Sequence, residues 1–154
     1  MDFKTIAIDG PSASGKSSVS KGVAAELGYI YVDSGALYRG VTWQALRKGV
    51  DVKNAAAVIE SMLDSKWDFF ERDGASIFSI DGDVQVQELR EKATRESVAD
   101  VAAIPEVRAF VVESLQSLAN FGSLVMEWRD IGTVVFPNSP YKFYLDADPN
   151  ERAM

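Results

Sequence analysis

Phe3-Lys4-Thr5-Ile6-Ala7-Ile8-Asp9-Gly10-Pro11-Ser12-Ala13-Ser14-Gly15-Lys16-Ser17 is the stretch whose reading decides the fold. Phe3–Asp9 reads as a short buried strand, because Ile6, Ala7 and Ile8 form a continuous apolar centre. Gly10–Gly15 is too rich in small residues and turn formers to be the interior of a strand or helix. Lys16–Leu27 then reads as a helix, with Val19, Val23, Ala24 and Leu27 expected on one face toward the core. Gly10 to Ser17 matches the pattern G-x-x-x-x-G-K-[S/T] at every fixed position. At average composition such a match arises by chance in roughly one chain in 200 of this length. The context is also the one the mechanism needs. Backbone N–H groups can wrap a phosphate only where side chains do not block them, and glycine permits both the turn and the close approach. The following helix points its positive end at the anion. Lys16 would reach the outer phosphates, and Ser17 would offer its hydroxyl to a hard cation. The alternative is an ordinary glycine-rich strand–helix connection.

Outward from this stretch, Gly28 is expected to stop the helix and Tyr29–Val32 to form a second strand. Ser34 is placed to cap a helix running to about Lys48, ended by Gly49. Strand, loop, helix, strand, helix is the pattern of a parallel α/β sheet. Asp33-Ser34-Gly35-Ala36-Leu37-Tyr38-Arg39 therefore sits at the carboxyl end of a strand, the edge where open α/β sheets bind ligands. Arg39 there suits a second phosphate held bidentately, or is a solvated arginine on a capped helix. The middle of the chain reads differently. Asn54–Leu63 is a short helix capped by Asn54; Trp67–Arg72 and Ser76–Ile80 flank the turn pair Asp73-Gly74, and Asp81-Gly82 makes a second turn. This small antiparallel element has the look of an insertion. Glu88–Ala103 reads as a polar helix, and Pro105 starts another with the apolar stripe Val107, Val111, Leu115, Leu118. Leu124–Trp128 and Tyr141–Leu145 are strand candidates, and Arg129-Asp130 follows the first of them. Arg129 can neutralise charge on a transferring phosphoryl group, or be a surface ion pair at a strand end. Arg90 and Arg108 read by themselves as solvated helix residues, and Trp43, Trp67 and Trp128 as packing residues rather than base platforms.

Composition narrows the chemistry. The chain has 154 residues, 47% apolar and 25% charged, which suits one soluble globular domain with at most an insertion. It has no cysteine and no histidine, so disulfide frameworks, thiolate zinc sites and histidine bases are excluded. Carboxylate, lysine, arginine and hydroxyl chemistry remains. A net charge of −7 argues against nucleic-acid or anionic-membrane partners. The charge is uneven: residues 1–50 carry six bases and four acids, residues 51–154 ten bases and nineteen acids. An anionic ligand fits the N-terminal third better. The absence of a membrane-length apolar run, a signal-like start or cysteine leads to the expectation of a cytoplasmic protein, and no readable apolar patch leads to that of a monomer.

Ile8-Asp9-Gly10-Pro11-Ser12, Gly15-Lys16-Ser17, Asp33 to Arg39, Pro105-Glu106-Val107-Arg108 and Arg129-Asp130-Ile131-Gly132-Thr133-Val134-Val135-Phe136-Pro137 together resemble the bacterial cytidylate kinases, in order and over essentially the whole chain. The resemblance implies a P-loop nucleoside monophosphate kinase fold: a parallel sheet flanked by helices, with an inserted monophosphate-binding subdomain at roughly 54–104 that contains the hairpin. It implies transfer of the γ-phosphoryl group of ATP to CMP or dCMP with Mg²⁺. Gly10, Pro11, Ser12, Ala13, Ser14, Gly15, Lys16, Ser17 and Ser18 would then hold ATP. Ser34, Arg39 and Arg129 would hold the acceptor, the two arginines on its phosphate, and Arg108 with Asp130 would read cytosine. A carboxylate accepts from the exocyclic amino group of cytosine while a guanidinium donates to its ring acceptors, whereas uracil would set a carbonyl against the carboxylate. Lys16, Arg39, Arg129 and Mg²⁺ would supply the charge neutralisation, and an already anionic acceptor needs no histidine base.

The chain departs from the family pattern in three places. Glu127-Trp128 stands where the family usually has Asp-Gly; Glu127 keeps a carboxylate able to orient metal-bound water. A cytosine-binding serine falls at Ala99, with Ser97 nearby but out of register. The family continues for roughly 70 more residues that carry the mobile lid, the last strand and the adenine loop. The chain is therefore expected to be incomplete at its C-terminus, and inactive alone for want of a lid to exclude water. Two other readings stand beside this one: a nucleotide-binding module without turnover, and a different small-molecule P-loop kinase acting on uridylate, adenylate or shikimate.

Overall fold

The computed structural model describes residues 5–9, 16–84, 92–120, 122–127 and 141–144. Its elements are β1 (Thr5–Asp9), α1 (Lys16–Leu27), β2 (Ile30–Asp33), α2 (Ser34–Arg47), α3 (Ala55–Leu63), β3 (Trp67–Arg72), β4 (Ala75–Ile80), α4 (Lys92–Ala102), α5 (Pro105–Leu118), β5 (Leu124–Glu127) and β6 (Tyr141–Tyr144). The chain divides into two compact units. One comprises Met1–Ser34, Glu71–Ser76 and Ser114–Met154; the other comprises Gly35–Phe70 and Ile77–Glu113.

The first unit is built on parallel strands. β5 lies between β1 and β2, pairing Ile8 with Glu127 and Asp33 with Glu127, and β6 flanks β1 on its other side, pairing Asp9 with Tyr144. The sheet has the order β3-β4-β2-β5-β1-β6. The turn end of the hairpin joins it where Tyr31 pairs with Ala75 and the Tyr31 N–H donates to the Gly74 carbonyl at 2.9 Å. The parallel α/β reading is thus borne out. Ile6, Ile8, Ala24, Tyr31 and Val125 form the core of this unit. Leu124, Val125 and Met126 are buried in succession, as a strand covered on both faces requires.

Helix α1 has the expected limits but only part of the expected face: Ala24 is in the core and Val23 packs against it, but Val19 and Leu27 do not turn inward. Ser20 and Ala24 are buried, whereas Val19 is 43% and Leu27 50% exposed. Side chains three and four apart share a helix face, but apolar spacing alone does not say which of two overlapping faces meets the sheet. Small residues let the helix lie close on β1, β2 and β5, so Ser20 and Ala24 took the inner position. The stop at Gly28 is a backbone one. Gly28 has φ +69°, its N–H donates to Ala25, and the Tyr29 N–H donates to Ala24 at 2.9 Å. Gly49 ends α2 in the same way, with φ +72° and the Val50 N–H on Ala45 at 2.9 Å.

The second unit holds most of α2 with α3, α4 and the start of α5. Asn54 caps α3 as expected, its side chain accepting from the Ala57 N–H at 3.2 Å. Both turn pairs behave alike. Asp73-Gly74 and Asp81-Gly82 each have two residues at positive φ, which matches the twist of the flanking strands. The second closes on itself through mutual backbone bonds between Ile80 and Asp83 at 2.9 and 3.0 Å. Asp81 is also tied to its surroundings: its carboxylate accepts from the Lys66 N–H at 2.8 Å and from Gln44 Nε2 at 2.9 Å. The Lys66 amide is the largest influence holding the Asp81 carboxyl below the usual carboxylate range, followed among favourable ones by Gln44, Lys48 and Arg47. The stripe on α5 is as expected, with Val107, Val111 and Leu115 fully buried and Leu118 nearly so.

Candidate functional site

Parallel pairing brings two acidic residues, Asp33 and Glu127, to one level of the sheet, and a third, Asp9, to within one residue of it. Glu127, the last residue of β5, is in register with Asp33 at the end of β2 and with Ile8, one residue before Asp9 at the end of β1. Each strand end leads into a segment singled out by the sequence: Asp9 into the glycine-rich loop, Asp33 into Ser34 and α2, and Glu127 into Trp128-Arg129-Asp130. The chain is thus brought to the carboxyl edge of a parallel sheet at all three places. Neither α1 nor α2 has an acidic residue in its first turn, so nothing on the helix itself neutralises its positive N-terminal end.

The expected site residues are distributed as follows. Gly10 through Gly15, Arg129, Asp130, Arg90 and Trp128 lie outside the described residues. Lys16 and Ser17 are the first two residues of α1, and Ser18 is exposed beside them. Ser34 is the first helical residue of α2, following β2 without a loop, and is fully buried. Arg39 lies in the second turn of α2 and is half-buried. Arg108 is exposed in the first turn of α5, close enough to the Tyr38 hydroxyl for its charge to act on it. Burial pushes the Tyr38 phenol up to about 12, and Arg108 offsets part of that rise. The second unit therefore brings Tyr38 on α2 toward Arg108 on α5. On α4, Ala99 is exposed and Ser97 half-buried. Two residues are about 200° apart on a helix, so Ser97 does not stand in for Ala99 on the same face.

Two residues with a clear structural part were not singled out from sequence. Tyr38 is only 3% exposed and sits beside Arg39. Gly40 has no space for a side chain: a Cβ there would lie 2.7 Å from the Phe78 ring and 3.4 Å from the Trp67 ring. A glycine within a helix is itself a signal, since it costs about 1 kcal/mol against alanine unless close packing requires it.

A cleft of about 460 Å³ lined by Lys21, Tyr29, Tyr31, Glu71 and Asp73 lies at the amino end of β2, the edge opposite these segments. Among the described residues there is no cluster of three metal-ligating side chains, and no helix is long and apolar enough to cross a membrane.

Residues 6–154 match the protein-family model described as cytidylate kinase. Curated proteins named cytidylate kinase are similar along nearly all of the chain. The one from Lactiplantibacillus plantarum is 41% identical over 148 residues, 96% of this chain and 65% of its own length. That from Oceanobacillus iheyensis is 43% identical over 150 residues, 97% of this chain and again 65% of its own length. A Mycobacterium leprae relative is 43% identical over 149 residues, 96% and 65% of the two chains. The chain thus spans about two thirds of the length of the curated relatives it matches.

Proposed function

The chain belongs to the cytidylate kinase family, and from that premise we propose that its protein transfers the γ-phosphoryl group of ATP to CMP or dCMP, yielding CDP or dCDP and ADP. The observation that carries this reading is the register of β1, β2 and β5, whose ends at Asp9, Asp33 and Glu127 lead into the phosphate loop, the α2 start and the Arg129-Asp130 segment at one sheet edge. A donor and an acceptor nucleotide must meet with their phosphates in line, and such an edge is where both can be held.

Gly10 to Ser18 hold ATP, with Lys16 on its outer phosphates. Ser34, Arg39 and Arg129 hold the acceptor, and Arg108 with Asp130 reads its base. The donor set suits Mg²⁺, because hydroxyl and carboxylate are the oxygen ligands a hard cation takes. Ser17 would bind it directly and Glu127 through water. Once bound it neutralises charge between the phosphates. Arg39 and Arg129 draw the acceptor phosphate toward the donor and stabilise negative charge that builds on the oxygens of the transferred group. No proton acceptor is required, since the attacking phosphate oxygen is already anionic. Arg108 and Asp130 discriminate cytosine from uracil by the pairing of donors and acceptors, because uracil leaves the carboxylate facing a carbonyl. The inserted stretch 54–104 supplies the acceptor side.

Calorimetry of CMP, dCMP and UMP on the 154-residue chain, with Mg²⁺ and a non-hydrolysable ATP analogue, tests the reading. Selective binding of CMP or dCMP is expected. Lys16→Ala is expected to weaken the ATP analogue at least about tenfold while CMP binding persists. Binding of the analogue with no pyrimidine preference would overturn the Arg108 and Asp130 assignments. Tighter binding of UMP, AMP or shikimate than of CMP would replace the proposed acceptor.

A further inference from the structure

Three aromatic rings connect the two helices that carry Arg39 and Arg108, with a fourth packed at their side. Phe78 on β4 packs against α2 at Gly40, so closely that a methyl group there would lie 2.7 Å from a ring carbon. Phe78 meets Trp67 on β3 at 5.8 Å between ring centres, and Phe69 at 6.2 Å. Trp67 meets Phe110 on α5 at 5.2 Å, the rings tilted by 57°. Trp67 is held in place independently, its indole N–H donating to the Met62 carbonyl at the end of α3, 3.0 Å away. All of these residues belong to the second unit. Gly40 is the neighbour of Arg39, and Phe110 follows Arg108 by two residues. The line therefore runs from the backbone beside one arginine, through two rings, to a ring on the helix that carries the other.

We infer that Trp67 and Phe78 are positioning residues that set the spacing between Arg39 and Arg108, and through it the match to a pyrimidine monophosphate. The inference rests on the proposed placement of Arg39 on the acceptor phosphate and Arg108 on its base. The physical case is that the stack cannot shorten or lengthen smoothly. Ring pairs of this kind have preferred separations, and close-packed interiors transmit a change of shape instead of absorbing it. At Gly40 there is no side chain to give way. A monophosphate fits two fixed cations only if the phosphate-to-base distance matches theirs, and a displacement of the order of 1 Å at a positioning group costs up to about 100-fold. Neither ring needs to touch the ligand for this.

Acceptor binding by ring variants tests the inference. CMP and UMP affinities are measured by calorimetry for the unaltered chain, Trp67→Leu, Phe78→Leu, Trp67→Tyr and, as a control for loss of core packing, Val58→Ala, a fully buried aliphatic residue of α3. Trp67→Leu and Phe78→Leu are expected to weaken CMP about tenfold and to lower the CMP-to-UMP preference by a similar factor, with ATP-analogue affinity unchanged. Trp67→Tyr keeps a ring and restores most of the preference. Val58→Ala lowers the melting temperature but leaves the preference intact. Ring variants that lose only melting temperature, with the preference unmoved, overturn the inference. Should the leucine variants not fold, 5-fluorotryptophan at position 67 of the unaltered sequence reports instead. Its fluorine resonance is expected to shift with CMP and not with the ATP analogue, and no shift with CMP overturns the inference. Failure of the unaltered chain to prefer CMP over UMP is a different result. It overturns the acceptor-site reading itself, and this inference with it.

Discussion

At Gly40 the missing side chain is the point. The Phe78 ring occupies the place a Cβ would take, so Gly40→Ala must push the ring or bend α2. Overpacking of this kind costs about 1–3 kcal/mol, more than the helix propensity gained by alanine returns. We expect Gly40→Ala to lower the urea midpoint, and Gly40→Ala with Phe78→Leu to lie closer to Phe78→Leu alone than additivity predicts. Tyr38 makes a second prediction. Burial pushes its phenol up to about 12, from the ordinary value near 10. The neutral form is favoured by the fold, so its contribution is fully present below about pH 10 and is lost as pH rises through about 12. That rise corresponds to about 2–3 kcal/mol. Denaturant titrations should show stability falling across that window, and Tyr38→Phe should flatten the fall.

Elements are held by devices that substitution can remove one at a time. Asn54 satisfies the Ala57 N–H at the start of α3, and Asn54→Ala should cost about 1 kcal/mol by thermal unfolding. The Asp81 turn is anchored more broadly, with Lys66, Gln44 and Arg47 converging on one carboxylate and Arg47 also meeting Asp83 at 3.1 Å. Its carboxyl is depressed, so the contribution is present above the ordinary carboxylate range and lost as pH falls through the folded value. The melting temperature of the unaltered chain should therefore drop more steeply on acidification than that of Asp81→Asn, and equal slopes would contradict this. The element scale also shows where periodicity misleads. In α5 the apolar stripe is buried throughout. In α1 the apolar residues Val19 and Leu27 face outward, while the polar Ser20 is buried. A stripe of four large residues has one way to be covered, but a helix with serine, glycine and alanine on several sides has more than one.

Across the whole molecule, the sequence by itself determined what short-range physics controls. The limits of α1, the glycine stops at Gly28 and Gly49, the Asn54 cap and the two Asp-Gly turns follow from backbone sterics and from bonds spanning a few residues. The phosphate-loop pattern and the Asp33 to Arg39 motif were legible as patterns for the same reason, since each is made of neighbours in the chain. Only the tertiary structure decided the rest. β5 enters between β1 and β2 from about ninety residues downstream, and its register sets Glu127 level with Asp33 and beside Asp9. The hairpin's turn end joins the sheet at Tyr31. Gly40, Phe78, Trp67 and Phe110, scattered over seventy positions, become one packed line. Such choices depend on the total surface buried and on loop-closure entropy over long separations, and no local window of sequence contains either quantity.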